Sequence, residues 1–389
     1  MKRVPLHDLL VLSDSGVWGD EDAENGVSVL RSTNFNSDGS LNLKKLSFRA
    51  IDPKKRDAKL LSEGDILLEK SGGGPQQPVG RVCLFQGSEL PQSFGNFIAR
   101  LRPTVEVLSE YLFYYLWHFH ALGKTSHYQK QTTGIRNLEF KRYLTIEVSV
   151  PPLTEQRRIV DILSRADGIV QLRREAEKKA AELIPAVFLD MFGDPATNPK
   201  GWPTFSIAEL CAVQTGGTPS RENPAYYEGE IPWVKTGEVA GGLILNTEEH
   251  ISAQALAETN CKMFPVGTIL VAMYGQGQTR GRCAVLGIEA STNQACAAIL
   301  PSDRIAGVFL FRHLQIQYEH LRSLAQGGNQ ANLNLSMIKN YMVILPPKAI
   351  QNKFVERVSA VSSIQSLQSA ASATAQATCD ALLSKVFAN

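Results

Sequence analysis

From Thr154 to Met191, apolar residues return every three or four positions (Ile159, Val160, Ile162, Leu163, Ala166, Ile169, Val170, Leu172, Ala176, Ala180, Leu183, Ile184, Val187 and Phe188), and charges fill much of the rest. That period marks an amphipathic helix. Pro151 and Pro152 cannot continue an incoming element and Thr154 can cap the first turn, so the start is well defined. About 38 residues at 1.5 Å each make a rod roughly 57 Å long, more than an ordinary globular helix, which predicts a coiled-coil strut. Its partner is expected in the same chain. Leu345-Pro346-Pro347-Lys348-Ala349-Ile350-Gln351 repeats the Pro-Pro start, and Phe354, Val355, Val358, Val361, Ile364 and Leu367 follow at helical spacing. The offset is 195 between Gln156 and Gln351 but 199 if Val386-Phe387 answers Val187-Phe188, which predicts an insertion near four residues, one helical turn. The expected seam is Ile159, Leu163, Ala166, Ile169, Leu172, Leu183 and Val187 against Val358, Val361, Ile364, Leu367, Leu382 and Val386. Small residues over 370–375 allow close approach.

The stretches that precede each rod read as two copies of one α/β domain. In the first, Ser28-Val29-Leu30, Gly64-Asp65-Ile66-Leu67-Leu68, the run 79–84 and the run 96–101 are strand-like and bounded by turn residues, and Ser109 to His120 has a helical period. His118 and His120 point two ways on such a helix and are read as packing or surface residues, not metal ligands. A Gly/Pro/Asn-rich linker over 193–203 opens the second domain. There Ile231-Pro232-Trp233-Val234-Lys235-Thr236-Gly237 answers 27–33, 266–271 answers 62–67, and Thr279-Arg280-Gly281-Arg282-Cys283-Ala284 answers 78–83. The expected organisation is a domain over 1–150, a helix over 151–192, a second domain over 193–345 and a helix over 346–389. The fold class is α+β: two similar α/β domains separated by two long helices that form an antiparallel coiled coil, with pseudo-two-fold internal repetition.

Composition narrows the function. Among 389 residues, 43% hydrophobic and 20% charged is ordinary for a soluble globular chain, no apolar run approaches membrane-spanning length, and Met1-Lys2-Arg3 leads into Asp8 and not into a signal-peptide core. A cytoplasmic location is expected. Six scattered cysteines without a Cys-x-x-Cys pair fit reduced, buried thiols. A net charge of only +2 means that nucleic-acid binding must come from local patches or from a basic partner.

Gly216-Gly217-Thr218-Pro219-Ser220, the run Tyr226-Tyr227-Glu228-Gly229-Glu230-Ile231-Pro232-Trp233-Val234-Lys235-Thr236-Gly237-Glu238 and the paired Pro-Pro helix starts resemble the DNA-specificity (S) subunit of type I restriction-modification enzymes. The resemblance covers nearly the whole chain. It implies two target-recognition domains, each reading one half of a bipartite asymmetric DNA site, with the paired helices setting the spacing and docking two methyltransferase subunits. It further implies a non-catalytic chain that binds no cofactor itself, S-adenosylmethionine held by the partner methyltransferases, and restriction (nuclease/translocase) subunits as further candidate partners. The first domain departs from the pattern: the Gly-Thr-Pro and Tyr-Tyr elements are missing, and Arg31 stands where Lys235 does.

Reading DNA needs cations for phosphates and amides, hydroxyls or Arg/Lys for base edges, on loops that approach closely. The glycine-rich loops 69–81 and 274–282 supply these, and a second polar strip, 128–137, is matched by 327–334. The candidate DNA-binding residues are Arg31, Thr33, Lys70, Ser71, Gln76, Gln77, Arg81, Lys130, Gln131, Thr133 and Arg136 in the first domain. In the second they are Lys235, Thr236, Tyr274, Gln276, Gln278, Thr279, Arg280, Arg282, Asn329, Gln330 and Asn332. Solvated surface turns are the plainer reading of the same loops. Neither loop ends in Gly-Lys-Ser or Gly-Lys-Thr, so no phosphate-binding P-loop is expected, and no catalytic or metal-ligand set is singled out. Rival readings are a coiled-coil scaffold without DNA and a stand-alone DNA-modifying protein with two recognition domains.

Overall fold

Each Pro-Pro pair opens a helix of 40 residues, Leu153–Phe192 and Lys348–Phe387, in the computed structural model. Helical bonding starts from the second proline of each pair: the Gln156 N–H donates to Pro152 O (3.0 Å) and the Gln351 N–H to Pro347 O (3.1 Å). Both ends of the two helices are offset by 195, from 153 to 348 and from 192 to 387, so the expected four-residue insertion does not exist. Phe387 answers Phe192 and not Phe188; the Val-Phe likeness was one turn out of place.

The structure describes residues 2–22, 24–36, 38–74, 77–132, 135–275, 277–325 and 332–387. They form two compact units, Met1–Arg174 with Ala370–Asn389, and Glu175–Ser369. Each long helix therefore contributes one stretch to each unit. In unit 1, Ile159, Leu163 and Val170 of the first helix share a core with Cys379, Leu383 and Phe387 of the second, and Arg174 Nη2 donates to Gln376 Oε1 (2.9 Å). In unit 2, Ile184, Phe188 and Phe192 pack with Phe354 and Val358, and Gln365 Nε2 donates to the Ala180 carbonyl (2.7 Å). Within each unit the two helices run antiparallel, start against end.

The seam differs from the expected one. Ile159, Leu163 and Val358 are buried, and Ala166, Val187, Val361, Leu382 and Val386 pack partly buried against the cores. Ile169 (53% exposed), Leu172 (67%), Leu183 (42%), Ile364 (48%) and Leu367 (72%) face solvent. The reason is helical phase. Each step of three residues falls roughly 60° short of a full turn, so the chains 166–169–172 and 361–364–367 walk off the contact face. Leu183 sits about 100° from the buried Ile184.

Unit 1 is built on a four-stranded antiparallel sheet in the order Leu10–Ser15, Ile98–Pro103, Ile66–Glu69, Val82–Leu84, with the helix Ser109–Ala121 packed on it. A second sheet places Val27–Leu30 between Ser47–Arg49 (antiparallel) and Gln92–Phe94 (parallel). Unit 2 repeats both. Ile269–Ala272 lies between Cys296–Ile299 and Cys283–Leu286, the helix Gly307–Ile316 covers that sheet, and Ile231–Val234 lies between Glu249–Ile251 (antiparallel) and Ser291–Thr292 (parallel). The duplication thus extends to strand pairing and direction. All six cysteines are buried and free, and no metal-binding cluster occurs among the described residues.

His118 is buried, and His313 in unit 2 is 2% exposed beside Phe188 and Phe309, accepting at Nε2 from the Ile344 N–H (3.4 Å). Burial pushes the His313 pKa down from 6.5 to about 4. A base with a depressed folded pKa makes the unfolded state bind more protons, so this contribution is complete above pH 6.5 and is lost as pH falls from 6.5 towards 4. Melting of unit 2 in a pH series is expected to show this loss, and the loss should shrink in His313→Gln.

Candidate nucleic-acid interface

In unit 1 the central strand Ile66–Glu69 runs through Lys70 into a short strand, Ser71–Gly73, which leaves the main sheet and joins another. There it pairs with Ile135–Leu138 (Asn137 with Ser71, Arg136 with Gly73), and Ile135–Leu138 pairs in turn with Gln129–Thr132. The glycine loop and the polar strip, over 60 positions apart in sequence, are thereby one three-stranded platform. The Ser71 hydroxyl bonds the Asn137 side chain, and Gln129 Nε2 donates to the Val79 carbonyl (2.8 Å). Gly80 adopts φ +107°, which only glycine accepts readily, where the loop returns.

Unit 2 makes the same turns with the same backbone bonds. Glu69 N–Arg81 O (2.9 Å) and Gly80 N–Glu69 O (2.8 Å) are matched by Ala272 N–Arg282 O (2.9 Å) and Gly281 N–Ala272 O (2.8 Å). Lys70 N–Phe97 O (2.9 Å) and Leu138 N–Lys70 O (2.8 Å) are matched by Met273 N–Ala295 O (2.8 Å) and Leu333 N–Met273 O (3.0 Å). One scaffold thus carries two sets of side chains. Lys70 answers Met273, Ser71 answers Tyr274, and Glu69 answers Ala272.

The candidate residues divide by what already holds them. Arg81 braces its loop: Nε and Nη2 each donate to the Glu69 carboxylate at 2.8 Å, and the other donors reach Phe35 O (3.2 Å) and Ser32 O (3.1 Å). The bond to Glu69 raises its pKa. Lys235 Nζ is shared by Glu248 (2.7 Å) and Glu249 (3.1 Å), which raise its pKa and cancel its charge. Arg31 and Lys235 occupy equivalent turns, each N–H donating to a side chain three residues on, Asn34 (2.9 Å) and Glu238 (2.7 Å). Lys130 is exposed but paired with Glu139 (2.6 Å), and Arg282 Nη2 donates to Gln278 Oε1 (2.7 Å). Thr33, Gln77, Gln131, Tyr274 and Gln278 are exposed, while Arg136, Thr236, Thr279, Arg280 and Asn332 are partly buried. Lys70 is half-buried, burial lowers its pKa, and no acid pairs with it among the described residues. Gln76, Thr133, Gln276, Asn329 and Gln330 lie outside the described residues.

Comparison with known proteins decides the family. A model of the type I restriction modification DNA specificity domain matches twice, over residues 19–183 and 199–373. The chain belongs to that family. Its relatives include the MjaIX specificity subunit of Methanocaldococcus jannaschii, 24% identical over 356 residues, covering 86% of this chain and 79% of the relative. The HindI specificity subunit of Haemophilus influenzae is 27% identical over 167 residues, 42% of this chain and 36% of that one. Two solved structures share the fold. One is a chain from work on complex assembly and conformational transition of a type I restriction-modification system (TM-score 0.63, 18% identity, 99% of this chain and 97% of that chain). The other is the crystal structure of the S subunit from M. genitalium (TM-score 0.55, 15% identity, 99% and 96%).

The motif residues that a specificity domain carries in unit 2 serve mainly as bracing. Gly217 O accepts both Trp233 Nε1 (3.0 Å) and Cys261 Sγ (3.2 Å), and the Tyr227 hydroxyl donates to Pro219 O (2.6 Å). Arg221, absent from the candidate set, lies over Tyr227 (4.0 Å to the ring centre) and bonds Glu249 (2.7 Å). Also missed were two buried glutamines, Gln156 and Gln351, that tie each long helix to a domain helix. Their Oε1 atoms accept from the N–H groups of Leu108 and Ala306, both at 2.8 Å. A glutamine five residues after the first proline of each pair was the available signal.

Proposed function

We propose that the chain reads a bipartite, asymmetric DNA sequence for a type I restriction-modification complex, one half-site per unit. The observation that carries this reading is the loop turn held in both units by the same four backbone bonds but with different side chains, Lys70 and Ser71 against Met273 and Tyr274. Equal scaffolds with unequal surfaces suit unequal half-sites. The long helices set the number of unread base pairs and dock two methyltransferase subunits, which hold S-adenosylmethionine and perform the chemistry; this chain binds no cofactor and works in the cytoplasm. No helix among the described residues is long and apolar enough to cross a membrane.

The test is to map methylated sites genome-wide in cells expressing the chain with its methyltransferase. Lys70→Met is expected to relax one half-site only, with discrimination falling about 10–100-fold for a lost contact of roughly 1–3 kcal/mol. Tyr274→Ala should disturb the other half alone. An unchanged motif in both variants, or equal damage to both halves from either, would overturn the assignment.

A further inference from the structure

We propose that unit 2 carries a docking pocket for an acidic, apolar-flanked peptide segment of a partner protein, with Arg312 as its counter-charge. The cavity, about 620 Å³, lies between the second half of the first long helix and the domain helix Gly307–Ile316, with Gln365 of the second long helix at its wall.

Three features point to that occupant. Arg312 Nη1 donates to Gln315 Oε1 (2.7 Å), but its Nε is buried with no acceptor, and no carboxylate pairs with it among the described residues. Burial lowers its pKa. Arg81 and Arg100, by contrast, each face a carboxylate, Glu69 and Asp14. The guanidinium, 5.2 Å from the Phe311 ring centre and bonded to Gln315, faces no anion among the described residues, and its free Nε–H is a donor that an incoming carboxylate satisfies. Second, Pro185 sits inside the helix at the cavity and has no N–H to give the carbonyl of Ala181, a residue of the cavity lining. That acceptor suits a peptide N–H. Third, Ile184, Pro185, Leu189 and Ile316 supply an apolar wall, with Leu189 44% exposed. A nucleic-acid phosphate offers no donor to the carbonyl and nothing to the apolar wall.

The pocket is not a requirement of the fold. Counting from the glutamine-bound N–H groups of Leu108 and Ala306, Arg312 corresponds to Tyr114 and Gln315 to Trp117. In unit 1 those two aromatics pack against the core.

The full-length chain should be titrated with Ac-Leu-Glu-Leu-NH2 and with its glutamine analogue, using saturation-transfer NMR. The glutamate peptide is expected to bind about tenfold or more tighter, the worth of a charge-assisted bond, and to be displaced by acetate but not by acetamide. Arg312→Gln should erase that preference, and Arg304→Gln, at an exposed arginine outside the cavity, should keep it. Equal binding of the two peptides to the unaltered chain overturns the proposal whether or not Arg312→Gln folds. So does inorganic phosphate binding where the glutamate peptide does not, which would assign the pocket to nucleic acid.

Discussion

Gln156→Leu and Gln351→Leu are each expected to destabilise one unit by about 3–5 kcal/mol while leaving the other close to its normal stability. The side chains are 0% and 1% exposed. Gln156 accepts from the Leu108 N–H (2.8 Å) and donates to Pro151 O (2.9 Å) and Glu106 O (3.1 Å); Gln351 accepts from the Ala306 N–H (2.8 Å) and donates to Pro346 O (2.8 Å). Leu108 and Ala306 stand at the N-termini of the domain helices and have no side-chain cap of their own. Each glutamine therefore satisfies a helix-terminal N–H and a Pro-Pro carbonyl together, joining three elements at one point. Leucine fills nearly the same space but leaves those groups buried and unpaired, each worth roughly 1–3 kcal/mol. Hydrogen exchange should quicken in unit 1 for Gln156→Leu and in unit 2 for Gln351→Leu. Stabilities within about 1 kcal/mol of the parent for both variants would mean that the glutamines are passengers.

The two helices, their Pro-Pro starts and the duplicated strands were legible because they rest on local rules: apolar period, turn residues and proline's missing N–H. The seam was only half legible. Ile169, Leu172, Ile364 and Leu367 are as apolar as Leu163 or Val358, and only phase separates them, so a tally of apolar positions cannot tell an exposed ridge from a contact face. The supposed insertion failed similarly, since a Val-Phe pair carries less positional information than the two helix ends in space. At the candidate site, glycine loops suggested close approach, but the platform exists through the pairing of Ser71 with Asn137, a long-range contact that no local pattern encodes. The same holds for charge. Arg81 and Lys235 look like free cations in sequence and are braces in the fold, because Glu69, Glu248 and Glu249 come to them across strands.

Ending the chain after Ser369 is expected to unfold unit 1 and leave the core of unit 2 formed. Unit 1 is assembled from residues far apart, its first 174 positions and the stretch from Ala370 onward, whereas unit 2 is contiguous from Glu175 to Ser369. The lost stretch carries Cys379 (5% exposed), Leu383 (2%) and Phe387 (7%) into the core around Tyr111, Leu163 and Val170. Phe387 lies 5.5 Å from the ring centres of both Tyr111 and Tyr115 and 6.0 Å from His118. Burying a leucine or phenylalanine is worth roughly 1.5–3 kcal/mol, and the void left behind adds to the loss. The deficit therefore approaches the 5–15 kcal/mol or so that typically separates a folded domain from its unfolded chain. Unit 2 keeps its equivalent plug, Phe192, at 4.8 Å from Phe309 and 5.3 Å from Phe354. Hydrogen exchange on the shortened chain should show fast exchange over Ser109–Ala121 and slow exchange over Gly307–Ile316, and a synthetic peptide of residues 370–389 should restore protection to the former. If the shortened chain protects both helices equally, the C-terminal stretch is not structural to unit 1. If the peptide restores protection, the missing side chains and not the covalent link account for the loss, because the peptide supplies the same core contacts without the connection.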